Sequence, residues 1–359
     1  MVHDFLIIGG GIAGVSAAAR LAPLGRVLLL EAEDALAHHA SGRSAALYEP
    51  RYGAAPVVEL SLASGPYFRQ IPDLLAPRGL MLVARDDQKA AFDHDVVAME
   101  FDPIPVAQAL EMVPILNRDV LRLAAYAGHA QDIDTDLLIQ HFAREARGHG
   151  AEILTRARVT AIARTATGWR VTHGAGEAEA RMIVNAAGAW VDQVAALAGV
   201  RPLHFTPLRR SMARIPAPAG MEVSRWPMLF GPGEDWYMKP DAGALIVSPA
   251  EEDPVDAPHD AWADDMVLAE GLARYEGFVT APVTRLIANW AGLRTFAPDR
   301  VLVIGPDPHE PAFFWLAGQG GYGFQSSAGA SRLAADLIAG RPPELTPRAV
   351  AALSPARFG

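Results

Sequence analysis

The apolar run Phe5-Leu6-Ile7-Ile8 leads without a break into Gly9-Gly10-Gly11-Ile12-Ala13-Gly14, then an alanine-rich stretch with helical spacing, then Leu28-Leu29-Leu30-Glu31. Short apolar runs without polar alternation are strands covered on both faces, and a glycine turn between strand and helix completes a βαβ nucleotide-binding fingerprint. Gly9 permits the tight bend, Gly11 lets the backbone approach a diphosphate, and Gly14 lets the helix pack on the strand. The first helical N–H groups, at Ile12 and Ala13, then face the phosphates. Glu31 lies twenty residues after Gly11, where a carboxylate accepts the hydroxyls of an adenosine ribose, with Ala32 beside it.

Two further α/β pieces follow. His141-Phe142-Ala143-Arg144-Glu145-Ala146-Arg147 has the period of an amphipathic helix. It precedes strand patterns at Glu152-Ile153-Leu154, from Ala157 through Val159 to Ile162, at Trp169-Arg170-Val171, and at Met182-Ile183-Val184-Asn185. Near the end, Val301-Leu302-Val303-Ile304 and Phe313-Phe314-Trp315-Leu316 lead to a glycine turn and a helical stretch from Ser326 to Ala339. The intervening segments 80–133 and 201–289 are richer in prolines and in β-branched and aromatic alternation, the pattern of an antiparallel sheet. The expected fold class is α/β: a discontinuous Rossmann-like domain over 1–79, 134–200 and 290–359, with an inserted, mainly antiparallel β substrate domain over 80–133 and 201–289. Pro216-Ala217-Pro218-Ala219-Gly220 is punctuated as a surface loop, and the proline-bearing tail after Arg341 predicts an irregular surface segment.

Composition narrows the classes of function. A chain of 359 residues exceeds one ordinary core, which agrees with two domains. The formal charge of −10, with no basic stretch, disfavours nucleic acid as a partner. The chain has no cysteine, which excludes disulfides, thiolate metal sites, a thiol nucleophile and a cysteinyl flavin link, and is compatible with a reducing cytoplasm. The N-terminal apolar run has no basic segment before it and reads as a core strand, and no stretch approaches the ~20 apolar residues of a membrane span. The histidines show no metal-ligand spacing, so no metal is expected; His38 and His39 read as loop residues ahead of Ser41.

The first fingerprint does not separate NAD from FAD, because both bring an ADP half to the same turn. Further motifs favour the longer ligand. Ser41-Gly42-Arg43-Ser44-Ala45-Ala46 offers N–H groups, hydroxyls and a guanidinium beside a second phosphate. Asn185-Ala186-Ala187-Gly188-Ala189-Trp190 and Gly318-Gln319-Gly320-Gly321-Tyr322-Gly323-Phe324-Gln325 supply two more close approaches of backbone to ligand. The Rossmann-like domain is therefore read as FAD-binding.

With these residues in view the chain resembles the D-amino-acid oxidase family of flavoproteins, most closely the D-arginine dehydrogenase type. The most specific pieces are Gly42-Arg43-Ser44-Ala45-Ala46, Tyr52-Gly53 and Asp132-Ile133-Asp134-Thr135-Asp136. Arg209-Arg210-Ser211, Tyr237-Met238-Lys239-Pro240-Asp241-Ala242-Gly243, Trp290-Ala291-Gly292-Leu293-Arg294 and the terminal glycine run extend the likeness over nearly the full length. The resemblance implies non-covalent FAD and oxidative deamination: hydride passes from Cα to the flavin, and the imine hydrolyses to a 2-oxo acid and ammonia. It implies that Arg294 and Arg210 clamp the substrate carboxylate, that Tyr237 and Tyr52 supply phenols, and that Tyr52 rides on a mobile loop over the pocket. Gly321 would border substrate and flavin alike, with the Gln319-Gly320-Gly321 N–H groups stabilising the reduced ring. Arg209, adjoining Arg210 on a strand, points to the other face.

One departure from the relatives alters the expected specificity. Leu80 stands where the D-arginine dehydrogenase pattern has a glutamate that pairs with a cationic side chain, and Leu47 stands where it has histidine. Apolar or small D-amino acids are therefore expected over D-arginine. Glu49, on the same loop as Tyr52, points the other way, an acid able to replace the missing one. The resemblance favours a quinone or respiratory carrier as acceptor, with O2 as the alternative served by Lys239; the location expected is the cytoplasm, or the periphery of the inner membrane. Three rival readings are a sarcosine- or glycine-oxidase-like enzyme acting on an N-methyl or cyclic amino acid, a flavin-binding electron-relay protein, and a plain nicotinamide dehydrogenase, which would be colourless when purified.

Overall fold

The computed structural model describes residues 2–359. Its first sheet has a parallel centre in which Val2–Ile8 lies between Val27–Leu30 and Gly176–Asn185. Glu152–Leu154 extends it on one side and Phe313–Ala317 on the other, both parallel. The apolar runs alternate between two covered faces. Phe5, Ile7, Val27, Leu29, Val184 and Phe314 pack into one core, under the helices Ile12–Leu21 and Gly323–Ala339. Leu6, Ile8, Leu28, Leu30, Ile183 and Phe313 pack into the core of the opposite face. Burial on both sides is why these strands carry no polar alternation.

Val159–Thr165 and Gly168–His173 form an antiparallel extension on the outer part of Gly176–Asn185. Val303–Pro306 pairs antiparallel with Phe313–Ala317. The helix expected around 141–147 runs over Thr135–Gly148, capped by Asp134, whose carboxylate accepts from the Leu137 N–H at 2.8 Å.

The second sheet is mainly antiparallel, as the 80–133 and 201–289 patterns predict, with one parallel pairing between Met228–Phe230 and Leu80–Ala84. Its longest strand, Thr206–Pro216, pairs along its length with Ala288–Phe296. The expected boundary at residue 290 therefore falls inside a strand of the second sheet, and Arg294 belongs to that sheet. One face is covered by the helix Asp265–Glu276 through Leu268 and Tyr275. The other face, with Leu80, Met212, Phe230 and Tyr237, turns toward the first domain.

A small sheet of Leu47–Tyr48, Gln131–Ile133 and Leu75–Pro77 stands between the two. Asp132 on it binds Arg78 and Lys239, with Lys239 Nζ at 2.9 Å from a carboxylate oxygen and 2.9 Å from the Ala46 carbonyl. The segment after Arg341 departs from the irregular form expected: Pro347–Leu353 is a helix, and Leu353 is fully buried in the first domain's core. Apolar positions at Ala349 and Leu353 carry that packing, a helical spacing too short to stand out in sequence.

Candidate active site

The glycine turn is built by exclusion. A Cβ at Gly14 would lie 1.8 Å from the Gly9 carbonyl oxygen, and Gly9 itself has φ of +109° with the Ala186 carbonyl against it. Helix, turn and the end of Gly176–Asn185 can approach one another only through these glycines. Glu31 is buried at the tip of Val27–Leu30 and accepts from the Gly10 N–H at 2.6 Å and the Glu33 N–H at 2.8 Å. Each carboxylate oxygen thus accepts one backbone bond and keeps capacity for another, and Glu31 borders the first cavity.

From this point one channel runs through the molecule as three adjoining cavities with shared walls. The first is lined by Gly9, Gly11, Glu31 and Ala32 together with Val159 and Trp190. It joins the second at Gly11, Ser41, Arg43, Ala186 and Gly188. Ile12, Ala13, Gln319, Gly320 and Gly323 line that middle stretch. The second joins the third at Ser44, Leu47, Arg294, Gly321 and Gln325. A long channel lined by glycine backbone at one end and by a guanidinium at the other fits an extended dinucleotide followed by a small acid.

Several predicted contacts take other roles. Gly42 is exposed and borders none of these cavities; its missing Cβ leaves room for the Ala37 carbonyl, so it shapes the turn. Arg43 borders the channel, but its guanidinium is engaged by protein: it donates to the Ala261 and Ala291 carbonyls at 2.9 Å each and pairs with Asp260. It therefore ties the loop around Ala261 across the channel, in place of the phosphate contact expected. Ser41 Oγ accepts from the Ile12 N–H at 3.0 Å, so one N–H of the helix start is met by protein. Gly320 N–H reaches the Thr295 carbonyl at 3.0 Å and Tyr322 N–H the Gln319 carbonyl at 2.7 Å, so the N–H groups of this turn are also partly engaged. Tyr322 packs against Tyr52, ring centres 5.1 Å apart, outside the channel wall. Ala45 borders the third cavity only.

The third cavity gathers the proposed chemistry. Arg294 lies against Gly321, where a Cβ would stand 3.0 Å from its guanidinium. Burial alone would weaken its hold on the proton, but the phenols of Tyr52 and Tyr237 and the carboxylates of Glu234 and Glu252 outweigh this and hold it more firmly charged than usual. The Tyr237 hydroxyl is buried without a hydrogen-bond partner. Tyr52 donates to Glu234 Oε2 at 2.9 Å, and burial, then the Glu234 charge, push its phenol well above the ordinary tyrosine value. The Tyr52 carbonyl accepts from Gln325 Nε2 at 2.9 Å, so the loop is held at both ends of this residue.

Leu47, Leu80, Met99, Met228 and Phe230 form the apolar wall. Met99, Met228, Phe230 and Glu234 carried no signal in sequence, because the end of the helix Lys89–Ala98 meets the short strand Met228–Phe230 and its following turn only in the fold; the Gly231-Pro232-Gly233 punctuation before Glu234 marks a turn without indicating where its acid points.

Arg210 is placed differently from Arg294. It borders the middle cavity on the same sheet face, buried, with Nε on the Glu251 carbonyl at 2.9 Å and a terminal nitrogen 3.3 Å from Glu252. Its other terminal nitrogen has no partner. Arg209 faces away, paired with Asp253 at 2.8 Å, as strand alternation predicts. Lys239 is held by Asp132 and Ala46, and Lys89 pairs on the surface with Asp93. His38 and His39 border the adenosine end, His39 3.2 Å from Glu33.

The sequence profile for "DAO: FAD dependent oxidoreductase" matches residues 4–337. The chain belongs to the DAO family of FAD-dependent oxidoreductases. FAD is the cofactor of this DAO-family enzyme, and the glycine-lined channel suits it. Among curated proteins, FAD-dependent oxidoreductase domain-containing protein 1 of Bos taurus is 25% identical over 93% of this chain and 81% of its own length. Of two other curated relatives the chain spans 59% and 55% of their lengths. Glycine oxidase from Geobacillus kaustophilus is similar in structure, with a TM-score of 0.83, 22% identity and 98% of each chain covered. L-proline dehydrogenase from P. horikoshii gives a TM-score of 0.84 at 20% identity, covering 99% of this chain and 98% of its own. These likenesses establish the fold of the DAO-family chain. Among its described residues no helix is long and apolar enough to cross a membrane.

Proposed function

We propose that this enzyme oxidatively deaminates a D-amino acid with an apolar or small side chain. The carrying observation is the pairing, in one cavity, of the Arg294 guanidinium and the unpartnered Tyr237 hydroxyl with an apolar wall that includes Leu80. Arg294 binds the substrate carboxylate through charge-assisted hydrogen bonds of roughly 1.5–3 kcal/mol, and Tyr237 O–H donates a further one. Arg210, with one free nitrogen, adds positive charge nearby and is itself held by Glu252. The side chain rests on Leu47, Leu80, Met99, Met228 and Phe230; a guanidinium facing Leu80 would lose its hydration without an ionic partner there. Tyr52, held by Glu234, closes the cavity and excludes water while the Cα–H bond is aligned. When bound along the glycine-lined channel, FAD would supply the acceptor for the Cα hydride, and the imine so formed would hydrolyse in water to 2-oxo acid and ammonia. The D configuration rests on the motif resemblance.

Lys239, engaged by Asp132 and Ala46, is a structural cation, which supports an electron carrier such as a quinone over O2. Anaerobic mixing with D- and L-amino acids, following the flavin absorbance, tests the reading. Fast bleaching by D-leucine, D-methionine or D-phenylalanine and slow bleaching by D-arginine is the expected result; a clear D-arginine preference overturns it. Formaldehyde in place of ammonia would turn the assignment to an N-methyl substrate.

A further inference from the structure

Glu49 borders the substrate cavity, and its carboxylate is almost sealed from solvent, with the side chain 3% exposed. One oxygen, Oε1, is fully served: His129 Nε2 lies 2.9 Å from it and the Arg51 N–H donates to it at 3.0 Å. The other, Oε2, is buried and has no hydrogen-bond partner. A carboxylate oxygen kept from water without a donor is costly, so its retention in a cavity wall marks a place where a donor arrives with the ligand.

The chemistry of the bound acid identifies that donor. An amino acid held by its carboxylate on Arg294 and Tyr237 carries a protonated amine one carbon away. Around it the wall is apolar at Leu47, Leu80, Met99, Met228 and Phe230. The other cavity carboxylate, Glu234, already accepts from Tyr52. Among the described residues Glu49 is thus the acid of this cavity with a buried oxygen unmet.

We infer that Glu49 is the residue that recognises the substrate's amine, accepting a hydrogen bond from the α-ammonium through Oε2. The inference rests on the carboxylate clamp proposed above and adds a requirement: the ligand must offer a hydrogen-bond donor on its α carbon, so a plain fatty acid of the same shape binds only by its carboxylate, and a 2-hydroxy acid brings a neutral donor in place of the charged one. His129, half in solvent, holds Glu49 from behind and is a positioning residue.

The test compares Glu49→Gln and Arg294→Met in the FAD-loaded protein. Primary amines D-leucine, D-methionine and D-lysine are scored by KM and limiting rate of flavin reduction, and amine-free 4-methylpentanoate by its Kd from the flavin spectrum. Glu49→Gln is expected to raise KM for all three amines by about 10- to 100-fold, the loss of a charged hydrogen bond, while the Kd of 4-methylpentanoate stays within about twofold. His129→Gln, which keeps a donor toward Oε1, is expected to shift KM by less than about fivefold. Loss confined to D-lysine overturns the inference in favour of a side-chain cation. Equal weakening of 4-methylpentanoate overturns it in favour of a structural role, and unchanged KM values overturn it outright. Arg294→Met must weaken both classes of ligand; if 4-methylpentanoate binds it as well as wild type, the clamp itself is wrong, whatever Glu49 does.

Discussion

The two ends of the channel are built from different material. At the adenosine end the contacts are backbone and absence: Gly9, Gly11 and Gly14 lie within six consecutive residues, and Glu31 closes the next strand. At the substrate end they are side chains brought from far apart: Glu49 and Tyr52 from a loop, Leu80, Phe230 and Tyr237 from strands, Arg294 from the strand that joins the second sheet last. A backbone site must keep its short motif to exist at all, whereas a side-chain site can exchange one wall residue without disturbing the fold. The first should fail as a whole and the second piece by piece.

The largest effect should follow Gly14→Val. Its side chain would enter the Gly9 carbonyl, forcing helix and turn apart, and the protein is expected to be purified colourless or insoluble; a yellow, soluble variant would break the contrast. Next comes Arg294→Met, which is expected to lower kcat/KM by about 2–5 kcal/mol, roughly 30- to 4,000-fold, with the flavin spectrum retained. Leu80→Glu should raise the D-arginine to D-leucine ratio of kcat/KM by about tenfold or more without loss of FAD, a single-residue change of substrate that the nucleotide end could not undergo. Tyr52→Phe removes the bond to Glu234 and is expected to cost about 0.5–1.5 kcal/mol in kcat/KM, through looser closure.

The smallest effect concerns pH. Burial lowers the proton affinity of His39, with Glu33 partly offsetting it, and of His141 and His173; all three lie in the nucleotide half. The unfolded chain therefore binds more protons than the fold, so their contribution is present above the ordinary histidine value of ~6.5 and declines as pH falls through it. Hydrogen exchange at pH 5.5 against pH 7.5 should show the nucleotide half loosening first.

What sequence revealed follows the same division. The buried strands were legible because both faces are covered, leaving runs such as Phe5 to Ile8 without polar interruption. Arg294, Tyr237 and Tyr52 were legible through motif resemblance, and the structure brings all three to one cavity. Arg43 and Gly42 sit in a matching motif, yet one guanidinium is held by Asp260 and one glycine makes a turn; a motif names residue types and leaves their partners open. Glu234, Met99 and Met228 had no pattern to betray them, since their meeting depends on how separate turns converge. The motif at 290–294 does not disclose its sheet: residues from 290 onward are expected in the first domain, whereas the pairing of Ala288–Phe296 with Thr206–Pro216 places this strand in the second.

The turn at Gly320 and Gly321 is joined to both halves at once. Its backbone is bonded to Thr295, the residue after Arg294, at 3.0 Å, and the Arg294 guanidinium rests on Gly321. Occupants of the two ends therefore share one point of contact, and by linkage any factor by which a bound acid raises the affinity for the flavin nucleotide is the factor by which that nucleotide raises the affinity for the acid. The apoprotein would then be a poor judge of its own substrates.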